Sequence, residues 1–125
     1  MKINIRTKDI ELNDTLRTFI EEKIGSLKHF IVNIDNSPKK GRAAIEVNFE
    51  VEKITKHHHK GEIYRAEANF LLNGKPLRSE ATSNDLKKAI VIVKDELQRL
   101  IRKDRTKNKD LFIRSLRKIK ERFRK

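Results

Sequence analysis

The sequence has no cysteine and no tryptophan, and only 6% of its 125 residues are aromatic. The absence of cysteine excludes disulfides and thiolate chemistry, and it leaves the redox compartment open. No apolar run approaches the roughly 18 residues of a membrane span, and no stretch resembles a signal peptide. The expectation from these absences is a cytoplasmic protein.

Motifs for catalysis are missing as well. There is no glycine-rich phosphate loop and no serine in a nucleophile elbow. His57, His58 and His59 are adjacent, but a closed zinc site needs four ligands with their own spacing, and His29 is the only other histidine. The sequence therefore predicts no enzyme, no cofactor, no metal site and no small-molecule substrate.

Charge is abundant and unevenly placed. Charged residues make up 39% of the chain, and the formal net charge is +13. Residues 99–125 hold 13 Lys and Arg against 3 Asp and Glu, whereas the other 98 residues hold 18 against 15. Concentrated positive charge indicates a polyanionic partner, more often nucleic acid than an anionic membrane. The alternative is a solvated face without a partner.

Residues 85–109 carry this charge on a predicted amphipathic helix. Asn84 is the predicted N-cap, and Asp85 suits the positive end of the helix dipole. The apolar stripe at helical spacing is Leu86, Ala89, Ile90, Val93, Leu97, Leu100 and Ile101. The basic residues away from it are Lys87, Lys88, Lys94, Arg99, Arg102, Lys103 and Arg105.

The upstream sequence predicts a platform for this helix. A first helix begins at Asp14, with Asn13 as its N-cap, and its apolar positions continue at helical spacing to Ile31. Alternation predicts strands over residues 2–7, 44–52, 64–72 and 77–82, and Asn73-Gly74 predicts a type I′ hairpin turn. The order β-α-β-β-β-α predicts one α+β domain, a two-layer sandwich with a four-stranded sheet and two helices on one face.

The outward face of the predicted sheet is polar. Glu46, Glu50 and Glu67 are expected to pair with Arg65 and Arg78 across strands. No aromatic side chain is predicted on this face, which argues against the base stacking that ribonucleoprotein-type sheets use. The surface for RNA is therefore expected on the helical side.

The last residues form a basic arm. Phe112, Leu116, Ile119 and Phe123 recur at helical spacing among arginines and lysines. A helix this short is marginal alone, so the arm is expected to be helical when bound. Three interpretations remain open: a helix along an RNA groove, a helix on a membrane surface, or a helix packed back on the domain.

Several segments together resemble the ribosome hibernation-promoting factor family, whose members are also described as ribosome-associated inhibitors or ribosomal subunit interface proteins. The likeness begins at Ile3-Asn4-Ile5 and Ile10-Glu11-Leu12 and continues at Val51-Glu52-Lys53-Ile54-Thr55. It is closest from Leu72-Asn73-Gly74 through Asp85-Leu86 to Ala89-Ile90. The likeness covers roughly residues 1–107, which we expect to form the ribosome-binding domain, with residues 108–125 as a basic C-terminal extension of a short form.

The resemblance implies a fold related to double-stranded-RNA-binding domains and a partner, the small ribosomal subunit with its ribosomal RNA. It implies a stress-related translation inhibitor that occupies the decoding region and blocks the messenger and transfer RNA sites. Three positions depart from the family pattern: Ser26 and Glu96 stand where basic residues are usual, and Lys87 stands where an aromatic is usual. The expected RNA-binding residues, from charge pattern and resemblance together, are Lys23, Lys87, Lys88, Arg99, Arg102, Lys103, Arg105, Lys107 and Lys109.

Three other functions are weighed beside this one. The chain is alternatively a free-standing binder of structured RNA, or a membrane-surface protein that uses its arm; an enzyme is the most distant alternative. Off the ribosome we expect a monomer. The arm is too short for the separate dimerising domain of long family members, which argues against ribosome pairing by that route.

Overall fold

The computed structural model describes residues 1–32, 45–54, 61–72 and 74–122, with the backbone alone for Val32 and for helix residues 105–113, 115 and 118–122. The predicted loop over residues 33–41, the histidines at 57–59 and Asn73 lie outside the described residues. The strands are β1 (Lys2–Lys8), β2 (Glu46–Ile54), β3 (Ile63–Leu72) and β4 (Lys75–Ser83), and the helices are α1 (Asp14–Gly25), α2 (Lys28–Val32) and α3 (Leu86–Arg122). The α+β class and the order of the main elements are confirmed, and α2 is a short addition.

The four strands form one sheet in the order β1-β2-β3-β4. β1 runs parallel to β2, with Ile5 opposite Phe49, and the other two neighbouring pairs are antiparallel. Leu72 pairs with Lys75, so two residues connect β3 to β4 as the hairpin prediction requires. Gly74 has φ +78°, a conformation that glycine adopts without steric cost.

One hydrophobic core lies between the sheet and the helices. Alternation along β2 buries Val47, Phe49 and Val51, because successive strand residues point to opposite faces. Residues of β3 and β4 complete the sheet side of the core, and the apolar stripes of all three helices form its helical side. The contributions from the helices, and from Leu27 in the turn between α1 and α2, are Leu16, Ile20, Ile24, Leu27, Ile31, Ala89, Ile90, Val93, Leu97 and Ile101.

The first helix is interrupted where a single helix was predicted to continue to Ile31. α1 ends at Gly25, and Ser26 follows as its C-cap. The Ser26 hydroxyl donates to the Lys23 carbonyl at 2.6 Å, a local bond that competes with helix continuation. Leu27 and Ile31 are still buried, so the periodicity correctly identified the buried face although not the break.

The helix starts are capped by side chains. Asn13 caps α1 as predicted, since its Oδ1 accepts from the Leu16 amide at 2.8 Å. For α3 the predicted cap, Asn84, is wrong: Asp85 Oδ1 accepts from the Lys87 amide at 3.0 Å. Asp85 is the better cap because its negative charge also lies at the positive end of the helix dipole.

Replacing Asn13 with alanine is expected to lower the free energy of unfolding by about 1 kcal/mol, because the Leu16 amide loses its acceptor. Chemical denaturation monitored by circular dichroism measures this loss. Asn13→Asp is the matched control, since it keeps a capping oxygen and should leave the midpoint nearly unchanged. Equal losses in both variants would contradict the capping role.

α3 is longer than the sheet that it covers. Its 37 residues span about 55 Å at 1.5 Å per residue, whereas the 10 residues of β3 span about 33 Å. Asp104 is 8% exposed, and its carboxylate lies 3.6 Å from Lys75 Nζ on β4. The helix backbone is continuous across the predicted boundary between residues 107 and 108, and a separate role for residues 108–125 stays a prediction.

Candidate nucleic-acid interface

One side of α3, here called the outer flank, carries Lys88, Ile92, Arg99 and Lys103. Spacings of four, seven and four residues place them on one line along a helix. All four are exposed. Lys88 and Lys103 make no ion pair within the described part of the chain, and they stand about 22 Å apart along the helix axis. The outer flank is therefore a line of positive charge that the domain itself compensates only in part.

That partial compensation comes from Glu96. Its carboxylate accepts from Arg99 Nη2 at 2.6 Å and from Arg99 Nε at 3.1 Å. The hydrogen bond from Arg99 lowers the pKa of Glu96 and raises the pKa of Arg99, so both groups are charged at neutral pH. An incoming phosphate must therefore compete with Glu96 for the Arg99 guanidinium.

The other side of α3 faces α1 and α2, and we call this boundary the seam. Two ammonium groups lie over the Phe19 ring, Lys23 at 5.6 Å and Lys87 at 5.5 Å from its centroid. Farther along, the Arg102 guanidinium lies 5.0 Å from the centroid of Phe30. These distances fall within the range of cation–π attraction. Lys87 and Arg102 thus contribute to packing between the helices as well as to surface charge, whereas Lys23 lies over a ring of its own helix.

The predicted RNA-binding residues accordingly divide into three groups. Lys88, Arg99 and Lys103 lie together on the outer flank, and Lys23, Lys87 and Arg102 lie along the seam. Arg105, Lys107 and Lys109 belong to α3 by backbone, but their side chains lie outside the described residues. Arg114 and Arg117, farther along α3, are exposed.

The outward face of the sheet presents a different electrostatic surface. Arg65 lies 3.8 Å from Glu50, 3.6 Å from Glu52 and 2.6 Å from Glu80, and it also contacts Glu67. The hydrogen bond that Arg65 donates to Glu80 lowers the pKa of Glu80 and raises the pKa of Arg65. Positive and negative groups on this face therefore largely compensate one another.

The predicted cross-strand pairs are confirmed for two of the three acids. Glu67 lies 3.0 Å from Arg78 and, like Glu50, also contacts Arg65. The prediction is wrong for Glu46, which accepts from the Asn4 amide on β1. The reason is the sheet order, which places Glu46 beside the edge strand β1 and away from β4.

Metal-ligand clusters and membrane-spanning helices are two further features that the described residues do not show. Within residues 1–32, 45–54, 61–72 and 74–122, no group of three or more His, Cys, Asp or Glu is arranged to hold a metal. In the same residues, no helix is both long and apolar enough to cross a membrane.

Two features of the surface were missed from the sequence. The pairing of Lys87 with Phe19 joins residues far apart in the chain, and only the packing of α3 on α1 brings them together. Ile92 is 41% exposed on the outer flank. Its position off the apolar stripe was the available signal, since the spacing that buries Ala89 and Val93 turns Ile92 outward.

The domain is a two-layer α+β sandwich whose long helix carries a line of cations, a surface with the charge that complements a polyanion. A family model described as "Sigma 54 modulation protein / S30EA ribosomal protein" matches residues 3–109. The chain belongs to this family.

Two relatives support the assignment, and both carry the name of the family that the residues resemble. The chain is 30% identical over 107 residues to a "Ribosome hibernation promotion factor" of Lactococcus lactis subsp. cremoris, covering 86% of this chain and 51% of that protein. It is 26% identical over 107 residues to the protein of the same name from Staphylococcus aureus, covering 86% of this chain and 50% of that one. The chain therefore spans about half the length of these relatives.

Two solved structures share the fold. The N-terminal domain of Thermus thermophilus Protein Y aligns with a TM-score of 0.58 at 22% identity, covering 82% of this chain and 98% of that one. A ribosomal subunit interface protein from Coxiella burnetii aligns with a TM-score of 0.61 at 19% identity, covering 85% and 99%.

Proposed function

We propose that this chain binds the small ribosomal subunit, occupies the decoding region and holds the ribosome inactive by blocking the messenger and transfer RNA sites. No reaction is catalysed in this mechanism. Inhibition follows because the protein and the RNA ligands of the ribosome need the same space. Family membership and the names of the two relatives support a role in ribosome hibernation.

The observation that carries the proposal is the outer flank of α3. Lys88 and Lys103 are exposed without ion pairs in the described part of the chain, and Arg99 lies between them. The helix holds the backbone of these residues in a fixed line, so no backbone ordering is needed when their side chains contact phosphates. On the sheet face, by contrast, Arg65 and Arg78 are engaged by carboxylates.

Sedimentation with purified ribosomal subunits tests the proposal. The protein is expected to co-sediment with small subunits at moderate salt, and added messenger and transfer RNA should compete with it. Absence from the small-subunit fraction, or binding that these RNAs do not affect, would overturn the proposed mechanism.

Binding is expected to be strongly dependent on salt. If roughly 6 to 10 phosphates are contacted, affinity should fall about 10³- to 10⁵-fold between 50 and 200 mM salt by the rule for duplex nucleic acid. A nearly flat salt dependence would contradict an interface built on the cations of α3.

A free-standing binder of structured RNA is the second candidate, and the exposed cations of the outer flank favour it equally. Affinities for small subunits and for arbitrary duplex RNA, corrected for length, distinguish the two. A clear preference for subunits supports the first candidate, and equal affinities support the second.

Truncation after Lys109 tests the role of the C-terminal arm. If the arm binds membranes, the truncated protein should lose membrane binding and keep ribosome binding.

Replacing Glu96 with glutamine is expected to strengthen binding to small subunits roughly two- to fivefold at low salt. The substitution removes one negative charge from the outer flank, within a Debye length of the bound phosphates. It also releases Arg99 from its bidentate partner. Titration of labelled protein with small subunits measures the change.

Asp95→Gln serves as the matched control for Glu96. Asp95 is an exposed neighbour on α3 that lies 3.3 Å from Lys94 and makes no contact with Arg99 among the described residues. Its substitution alters net charge by the same amount. An equal gain from both variants would show that net charge, rather than release of Arg99, explains the effect.

A further inference from the structure

The outer flank of α3 contains one apolar side chain among its cations. Ile92 is 41% exposed, one turn after Lys88 and two turns before Arg99. If this flank contacted only phosphates, a polar residue would suit position 92 better, since the exposed isoleucine side chain gains no favourable hydration. The arrangement matches a partner that offers an uncharged contact flanked by anionic ones.

The side chains around Ile92 limit what that partner can be. The described residues of the outer flank include no aromatic ring on which an unpaired base could stack, which is how proteins usually hold single-stranded nucleic acid. A-form RNA offers the complementary surface, because its wide, shallow minor groove displays riboses between two rows of phosphates.

We infer that Ile92 packs on riboses in the minor groove of double-helical RNA, while Lys88 and Arg99 contact the phosphates on either side. This inference rests on the proposed function and deepens it, by naming duplex RNA as the element that the outer flank selects. The rise between Lys88 and Arg99, about 16 Å along the axis, leaves the Ile92 side chain between two anchored cations. Selection of duplex over single strand then depends on an apolar contact.

The inference is tested on synthetic RNA, without ribosomes. The full chain is titrated with a 16-base-pair RNA duplex and with one of its strands, and the ratio of the two affinities is the readout. Ile92→Ala is expected to lower duplex affinity roughly three- to tenfold, the loss of one to two buried methylene equivalents, with single-strand affinity unchanged. Alanine favours helix more than isoleucine, so the fold should survive.

The salt dependence and a control variant distinguish the apolar contact of Ile92 from an electrostatic effect. Ile92→Ala should leave the slope of log affinity against log salt unchanged, whereas Lys88→Ala should reduce its magnitude by about one. Leu71→Ala is the matched control, because Leu71 is an exposed leucine, 63% accessible, on the sheet face. It should have no effect on either RNA.

The charged variant Ile92→Lys gives a second test. It should strengthen binding to the single strand more than to the duplex, and so reduce the preference for duplex. An equal gain on both RNAs, or an unchanged duplex affinity in Ile92→Ala, would overturn the inference. Weaker binding of Ile92→Ala to small subunits with normal duplex binding would assign Ile92 to a protein contact and would also overturn it. Failure of the wild type to bind small subunits, with the Ile92 effect on duplex intact, would instead remove only the proposed function.

Discussion

Replacing both Lys88 and Lys103 with glutamate is expected to weaken binding to small ribosomal subunits on the order of 100-fold at about 100 mM salt, because each lysine releases one counterion on contact with a phosphate. The magnitude of the salt slope should fall by about two for the same reason. Both side chains are exposed, so the variant should fold normally. Sedimentation and fluorescence titration measure the binding, and circular dichroism verifies the fold.

The matched control is the pair Lys2 and Arg6 on β1. Both are exposed and, among the described residues, make no ion pair, so replacing them with glutamate changes net charge equally on the sheet face. This control variant should bind small subunits within a few-fold of the wild type. Equal losses from the two pairs would contradict a localised interface on α3 and would leave only a response to net charge.

Replacing Phe49 with alanine should be the most damaging single change to stability, at a cost of about 3 to 5 kcal/mol. Phe49 is 1% exposed on the inner face of β2, with Ile5 and Ala68 as its partners in the neighbouring strands. The cavity left under the helices cannot be filled without moving the sheet. The expected loss is a large fraction of the 5 to 15 kcal/mol typical of folded proteins.

Denaturation by urea measures this cost through the shift of the midpoint. Phe49→Leu is the control, since it retains most of the apolar volume and should cost far less. A small effect of Phe49→Ala would contradict the position of β2 at the centre of the core. At low temperature, the fraction of Phe49→Ala that remains folded should still bind ribosomal subunits, because the outer flank is intact.

The separation of charge between the two faces is the reason that we place the proposed interface on one side of the domain. On the sheet, Arg65 is surrounded by carboxylates from three strands, and an RNA phosphate there would meet Glu50 and Glu80 as well. On α3, Glu96 is the acid that contacts the outer flank among the described residues. Because like charges repel over about 10 Å at 0.1 M salt, we expect RNA phosphates to be repelled more by the sheet face than by the outer flank.

The parts of the fold that could be predicted from sequence are those set by local periodicity. The alternation of Val47, Phe49 and Val51 fixes one strand face, and the stripe from Ala89 to Ile101 fixes one helix face. Periodicity could not decide which of two adjacent residues with similar side chains caps a helix. Asparagine and aspartate both serve well as N-caps, so the pattern alone does not choose between Asn84 and Asp85, and the structure places the capping bond on Asp85.

Tertiary packing accounts for the remaining differences. The break after Gly25 could not be predicted, because a glycine inside a helix costs only about 1 kcal/mol and is often tolerated. The position of β1 beside β2 determines that Glu46 meets Asn4, and sequence pattern alone does not give strand order. Likewise the candidate RNA-binding residues were predicted from the charge pattern and the family resemblance, but their division into an outer flank and a seam depends on where Phe19 and Phe30 lie.

A cryo-electron microscopy map of the small subunit with this chain bound tests the central claim most directly. We predict that the outer flank of α3 lies against ribosomal RNA in the decoding region, with Lys88, Arg99 and Lys103 next to phosphates and the sheet face turned away. A map in which the sheet rests on the RNA and the outer flank faces solvent would contradict the account.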